Sequence, residues 1–190
     1  MDTDGFYIVN YSLAALFPVL VSLWAWLRRD FPSQEVRVVF WLGTGLGALW
    51  EFPFNAWAAF DTDAIVIYLT EPPLSWPLCA LLHSFWDGAL FVAGWALVTL
   101  IHGRYAFRAF FSAPMVTLLV WSQLQEILVE ALSLASGAWM WNVTSWNPAL
   151  FEIGSLQFTI LPQIIWLVAP IIFFAYMRHW QSGGTSNVDR

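Results

Sequence analysis

Four carboxylic acids, Glu51, Asp87, Glu126 and Glu130, sit inside apolar stretches long enough to cross a bilayer. The chain is 59% hydrophobic and only 11% charged, so the position of each charge is informative. One ionisable group at the centre of a bilayer helix costs roughly 2.5–3.5 kcal/mol on insertion scales. Four of them facing lipid would cost on the order of 10 kcal/mol. The cost is avoided when the groups face one another, or a polar cavity, across a helix bundle. Carboxyl groups crowded into a dry pocket cannot all ionise, so one donates a proton and a neighbour accepts one. That is general acid–base machinery. His83, four residues before Asp87, is placed to shuttle a proton to it or to hold its orientation.

Spacing assigns further residues to the same faces. Thr44, Gly47, Glu51 and Asn55 recur at three- and four-residue steps, as do His83, Asp87, Phe91 and Gly94. Gln123, Glu126, Glu130 and Ser133 form a third stripe, and Ser155, Thr159 and Gln163 a fourth, with Pro162 expected to break the backbone ladder beside it. Asn55, Gln123 and Gln163 are the candidate polar contacts to a substrate. Gly43 and Gly47 make a GxxxG through which a second helix can approach closely. With a rise of about 1.5 Å per residue, all four acids fall roughly 7–15 Å below one membrane face. Antiparallel helices therefore bring them to one level.

Aromatic residues supply a second clue. The chain has 14 Trp and 16 Phe. Trp26, Trp139, Trp141 and Trp180 suit the headgroup belts. Trp50, Trp86 and Trp121 are deeper and are expected to wall a pocket; Trp50 and Trp86 directly precede Glu51 and Asp87. A Trp face stabilises a desolvated cation by about 2 kcal/mol. Acids that protonate an alkene, with aromatic walls for the resulting carbocation, are what isoprenoid cyclisation or double-bond isomerisation requires.

The segment Ala48-Leu49-Trp50-Glu51-Phe52 resembles the Trp-Glu motif of small integral-membrane terpene cyclases from fungal meroterpenoid and indole-diterpene pathways and from some bacteria. That resemblance implies a membrane-embedded acid at Glu51 that protonates an epoxide or alkene. Ser84 to Phe91 is loosely similar to the family's second acidic segment, which implies a partner acid at Asp87. Those proteins usually have seven helices. Size and span number are also similar to those of the emopamil-binding sterol isomerases, which use a His and acids beside a deep tryptophan.

The elements that must position these residues are five apolar helices, at about 6–27, 38–60, 77–101, 109–135 and 154–177. The fold class expected is all-α, a polytopic integral membrane bundle of five transmembrane helices. Arg28, Arg29, Arg37, Arg104, Arg108, Arg178 and Arg190 then fall on one side, and Asp61, Asp63 and Glu71 on the other. The positive-inside rule makes the N-terminus outside and the C-terminus cytoplasmic. The acidic start followed by Arg28-Arg29 reads as an uncleaved first helix rather than a signal peptide. Residues 64–76 are expected to form an outer interfacial or re-entrant segment, and 136–152 a belt or a lid over the outer end. Residues 1–180 form a single domain, followed by a disordered polar tail, 181–190. Asn142-Val143-Thr144 is a glycosylation sequon, a pattern short enough to arise by chance.

Composition narrows the chemistry. A net charge of -6 argues against nucleic acid as a partner. The chain has no lysine, which removes Schiff-base, P-loop and lysine-based mechanisms. Cys79 is the sole cysteine, so no intrachain disulfide forms. There is no HxxxH, HExxH or DDxxD pattern, and neither a metal nor another cofactor is expected. The expected partners are a lipophilic small molecule and the bilayer, with a homo-oligomeric or other membrane partner left open. The expected setting is a multi-pass membrane location, the plasma or inner membrane if bacterial. Two alternatives to a membrane-bound cyclase or isomerase stay open, a lipid or small-molecule binding protein and a proton-coupled transporter.

Overall fold

The computed structural model describes residues 2–28, 31–61, 63–110, 112–154 and 156–183. It is an all-helical bundle with two small hairpin-like sheets. The helices are α1 (Thr3–Arg28), α2 (Phe31–Phe60), α3 (Leu78–His102), α4 (Ala113–Ser136) and α5 (Ile160–Gly183). The strands are β1 (Val66–Tyr68), β2 (Trp139–Trp141), β3 (Ala149–Ile153) and β4 (Leu156–Thr159). Helices α1, α3, α4 and α5 are long and apolar enough to cross a membrane. Their lipid-type faces stay outward: Leu23, Leu100, Leu124 and Leu167 are all exposed. Helix α2, at 30 residues, is longer still but carries Glu35, Arg37 and Glu51.

The closest packing is between α2 and α3, and small residues create it. A Cβ on Gly43 would stand 2.7 Å from Cβ of Phe91, and one on Gly47 would stand 2.6 Å from Cβ of Asp87. In the other direction, a Cβ on Gly88 would meet the Phe40 carbonyl oxygen at 2.8 Å. The GxxxG of α2 therefore seats α3, and its second glycine seats an acid-bearing position. Helix α1 packs on α2 and α3, and α4 packs on α3 and α5. The main apolar core gathers Phe91, Leu118, Trp166, Phe173, Phe174 and Met177. A second, smaller core gathers Phe6, Tyr7, Tyr11, Cys79 and Leu82.

One end of the bundle carries a lid. Segment 64–76 is a strand-bearing connection, and β1 pairs antiparallel with β2, Ile67 opposite Met140. Gly137, at φ +71°, turns the chain out of α4 into β2. The Tyr7 hydroxyl donates to the carbonyls of Thr70 (3.0 Å) and Ala138 (3.1 Å), which ties α1 to both halves of the lid. Asn142, the sequon residue, is engaged within the lid: its side-chain amide donates to the Ala64 carbonyl at 3.1 Å. Buried Asn147 accepts a hydrogen bond from the Leu161 N–H at 2.8 Å, which caps the start of α5.

Three boundaries differ from those read in the sequence: the start of α2, at Phe31 rather than about 38, and both ends of α5. Helix α5 begins at Ile160, because residues 156–159 pair with β3 instead of continuing the helix. Pro162 therefore lies in the first turn, where a missing N–H costs nothing, and produces no internal break. Prolines inside helices are Pro18, Pro53 and Pro170. Helix α5 also runs on to Gly183, so Gln181 belongs to the helix rather than to a tail. Ser155, Arg29, Asp30 and residues 184–190 lie outside the described residues.

Candidate functional site

Beneath the lid is a cavity of about 300 Å³. Glu51, Asn55, His83, Asp87, Glu126 and Glu130 all line it, together with Trp50 and Trp86. Three helices each deliver two of these groups one turn apart: Glu51 and Asn55 from α2, His83 and Asp87 from α3, Glu126 and Glu130 from α4. The i, i+4 spacing aims both members of each pair at the same side of their helix.

Glu51 is the most richly bonded acid. Its Oε2 lies 3.1 Å from His83 Nδ1 and accepts a 2.9 Å hydrogen bond from the Asn55 amide. The same amide also donates to the Glu51 carbonyl at 2.8 Å, locking Asn55 against its own helix. The Tyr68 hydroxyl, from β1 of the lid, donates to Asn55 Oδ1. Cys79 lies behind, its sulfur 3.7 Å from the same oxygen. Burial raises the Tyr68 phenol above its ordinary range, so it remains a donor at neutral pH. The result is a relay, Tyr68 to Asn55 to Glu51, with His83 on the other side of the carboxyl.

His83 does not serve Asp87 as its spacing suggested. Asp87 is one turn away along α3, but the imidazole turns across to α2 and meets Glu51. Its ring is held between Tyr11 and Trp139, with ring centres 5.8 and 5.9 Å away. Asp87 is 6% exposed and its Oδ2 has no hydrogen-bond partner among the described residues. The Trp50 side chain reaches its carboxyl, and Glu51 and Glu126 are close enough for their charges to act on it. Glu130 is fully buried, with neither carboxyl oxygen in a hydrogen bond of normal geometry; the Thr159 N–H is the polar group that approaches it. Glu126 is within electrostatic reach of both Glu130 and Glu51.

The aromatic walls are partly those expected. Trp50 packs edge-on against Trp166, and Trp86 donates its indole N–H to the Asn10 carbonyl at 3.0 Å. Trp121 is not in the cavity wall. It packs at Gly94 and donates to the Leu90 carbonyl at 3.1 Å, on the α3–α4 seam. Gln123 and Gln163 are outside the cavity as well: the Gln123 amide spends its hydrogen bond on the Gln163 carbonyl, at 3.1 Å, joining α4 to α5. In their place stand residues that sequence reasoning passed over: Tyr7, Asn10 and Tyr11 of α1, Tyr68 of β1, and Trp139 and Trp141 of β2. The signal for α1 was present, since Tyr7 and Tyr11 are one turn apart with Asn10 between them. The belt reading of Trp139 and Trp141 concealed their place in the wall.

Chemically, the site combines several carboxyl groups, one imidazole and an aromatic enclosure. It offers proton donors and acceptors at opposite walls, with a low-dielectric interior between them. Among the described residues no group of three or more His, Cys, Asp or Glu has a metal-holding arrangement. No protein family, curated protein or solved structure matches this chain.

Proposed function

We propose that this chain is an intramembrane acid–base enzyme that isomerises or cyclises a lipophilic isoprenoid-, carotenoid- or sterol-like substrate through a carbocation. The observation that carries this reading is the convergence of Glu51, Asp87, Glu126 and Glu130 from three helices on one aromatic-walled cavity. In the proposed reaction Asp87 delivers its proton to an alkene or epoxide, and a cation develops on the substrate. Trp50, Trp86 and Trp139 face that cation. In a cyclisation a second double bond attacks it and moves the cation to another carbon; in either reaction loss of a proton from a neighbouring carbon to Glu51 then restores a double bond. Glu126 and Glu130 return the proton between the two ends, so substrate and product have the same atoms and no redox cofactor takes part. Glu51 suits the accepting role because His83 and Asn55 already orient its carboxyl through Oε2. Asp87 suits the donating role because it lines the cavity as a buried acid beside Glu51 and Glu126, with the Trp50 side chain reaching its carboxyl.

The membrane setting belongs to the same proposal. Helix α2 is the fifth span, buried against α3 rather than bathed in lipid, which is why it carries polar residues. Arg28, Arg37, Arg104, Arg108 and Arg178 lie at the end opposite the lid, which makes that end cytoplasmic and the lid external.

The test is mass spectrometry of organic extracts from cells that express the chain with a panel of isoprenoid precursors. A product of unchanged mass and altered retention is expected, and Glu51→Gln should abolish it while leaving the purified protein monodisperse and helical. Activity that survives Glu51→Gln removes the assignment. A bound lipid recovered unchanged, with no product from any precursor, would instead mark a binding protein.

A further inference from the structure

We infer that the cavity is entered sideways, from the hydrocarbon layer, through a gap between α1 and α4, and that its ligand is a membrane-dissolved lipophile with one polar group. The inference rests on the membrane reading above, but not on the proposed chemistry.

Three observations place the entrance. Leu128 and Leu132 are 59% and 51% exposed, yet both line the cavity. They end an outward stripe on α4, Val116, Val120, Leu124, Leu128 and Leu132, spaced at four residues. The stripe's first three members face outward without touching the cavity, so the lipid-facing surface of α4 becomes the cavity wall over its last two turns. Second, α1 and α4 are both cavity walls but are not packed on one another along their lengths. Near the lid the Thr3 hydroxyl of α1 donates to the Ser136 carbonyl of α4 at 2.6 Å, which pins the two helices there. Third, the lid end is closed above that pin. Tyr7 bonds both lid segments, and β1 pairs with β2 across the top. Water is thus held off at the lid while the side toward lipid stays open below it.

The same geometry defines what enters. The gap is flanked by leucine side chains, which suits a hydrocarbon chain. Behind it, the buried Tyr11 hydroxyl has no partner among the described residues, and the side chains of His83 and Glu51 on the cavity wall keep 18% and 19% of their surface exposed. A buried polar atom without a partner costs about 1–3 kcal/mol, so an oxygen-bearing group on the ligand is the natural occupant. The ligand is therefore a long-chain lipophile whose single oxygen function reaches Tyr11 and Glu51 while its tail trails into the bilayer.

The experiment uses the full chain in phosphatidylcholine nanodiscs and a prenyl alcohol that bears an alkyl diazirine near its hydroxyl. After irradiation, labelled residues are mapped by peptide mass spectrometry. Labelling of cavity carboxyls is expected in the parent protein, and Leu128→Trp and Leu132→Trp should abolish it by filling the gap. Leu124→Trp, one turn along the same stripe and outside the cavity, should leave it unchanged. Leu132→Phe serves as a milder block if a tryptophan variant does not fold. Cavity labelling that persists in correctly folded blocked variants, or labelling confined to the lid strands, would overturn the inference. So would absence of cavity labelling in the parent protein. Glu51→Gln distinguishes the two proposals: if it retains activity the chemistry is wrong, whereas the pattern of labelling tests the entrance alone.

Discussion

At the residue scale, the site depends less on the acids themselves than on what holds them. Glu51 is oriented by a bond from Asn55, and Asn55 is in turn fixed by its own helix carbonyl and by Tyr68. Asn55→Ala should leave the carboxyl present but free to rotate, and a displacement of that kind near reacting atoms costs about 100-fold in rate. The expected signature is a fall in kcat with little change in KM, and Tyr68→Phe should produce a smaller fall of the same kind. Steady-state kinetics on the reaction identified by extract analysis would check both; a change in KM alone would show that Asn55 binds substrate rather than positions Glu51. Glycine acts by the opposite means, through what it lacks. Gly47→Ala drives a methyl group into Asp87, an overpacking expected to cost about 1–3 kcal/mol. Gly45, between the two glycines of the motif, has nothing within 4 Å of its virtual Cβ, so Gly45→Ala should be tolerated. Thermal unfolding in detergent should separate the two, with a lower Tm for Gly47→Ala only.

At the scale of elements, the bundle is braced at both ends by different devices. The lid end uses backbone pairing between β1 and β2 and the double bond of Tyr7. The other end uses a buried side-chain pair that spans nearly the whole chain. The Gln181 amide, in the last turn of α5, donates to Glu35 Oε1 at 2.7 Å and to the Arg104 carbonyl at 3.1 Å. This ties α5 to the first turns of α2 and to the connection between α3 and α4. The Trp95 side chain also approaches the Glu35 carboxyl. Gln181→Ala strands a buried carboxyl oxygen and should lower stability by about 1–3 kcal/mol. Glu35→Gln keeps an acceptor for Gln181 and should lower it less. Denaturation midpoints of the two variants would test this, and a larger loss for Glu35→Gln would show that the charge of Glu35 matters more than the bond. Neither change should alter product identity, because the pair lies at the opposite end from the acid cavity.

For the whole molecule, the proposed topology of five spans puts the end of α5 in the cytoplasm and so predicts that a green fluorescent protein fused after α5 fluoresces in a bacterial host. A fusion placed in the lid, after Asp63, should be dark. The reverse result would overturn that topology, through an inverted bundle or an α2 that does not cross, and fluorescence at both positions would mean that one of α3, α4 and α5 does not cross. Much of this architecture was legible in the sequence because a bilayer makes hydrophobic length and charge placement decisive: the helical fold, the lid-end position of 136–152 and the grouping of Glu51, Asp87, Glu126 and Glu130 all follow from one-dimensional spacing. Helical spacing also identifies which residues share a face. It cannot say which neighbour that face meets, and so Trp121, Gln123 and Gln163, each on a plausible stripe, pack into helix seams instead of the cavity. Likewise, His83 is one turn from Asp87 along its own helix, yet the approach of α2 at Gly43 and Gly47 brings Glu51 nearer to its ring. The contribution of α1 and the two lid strands depends on contacts between residues more than sixty positions apart, such as Tyr7 with Thr70 and Ala138. Periodicity carries local geometry alone, whereas long-range pairing is decided by how close small residues allow the helices to come.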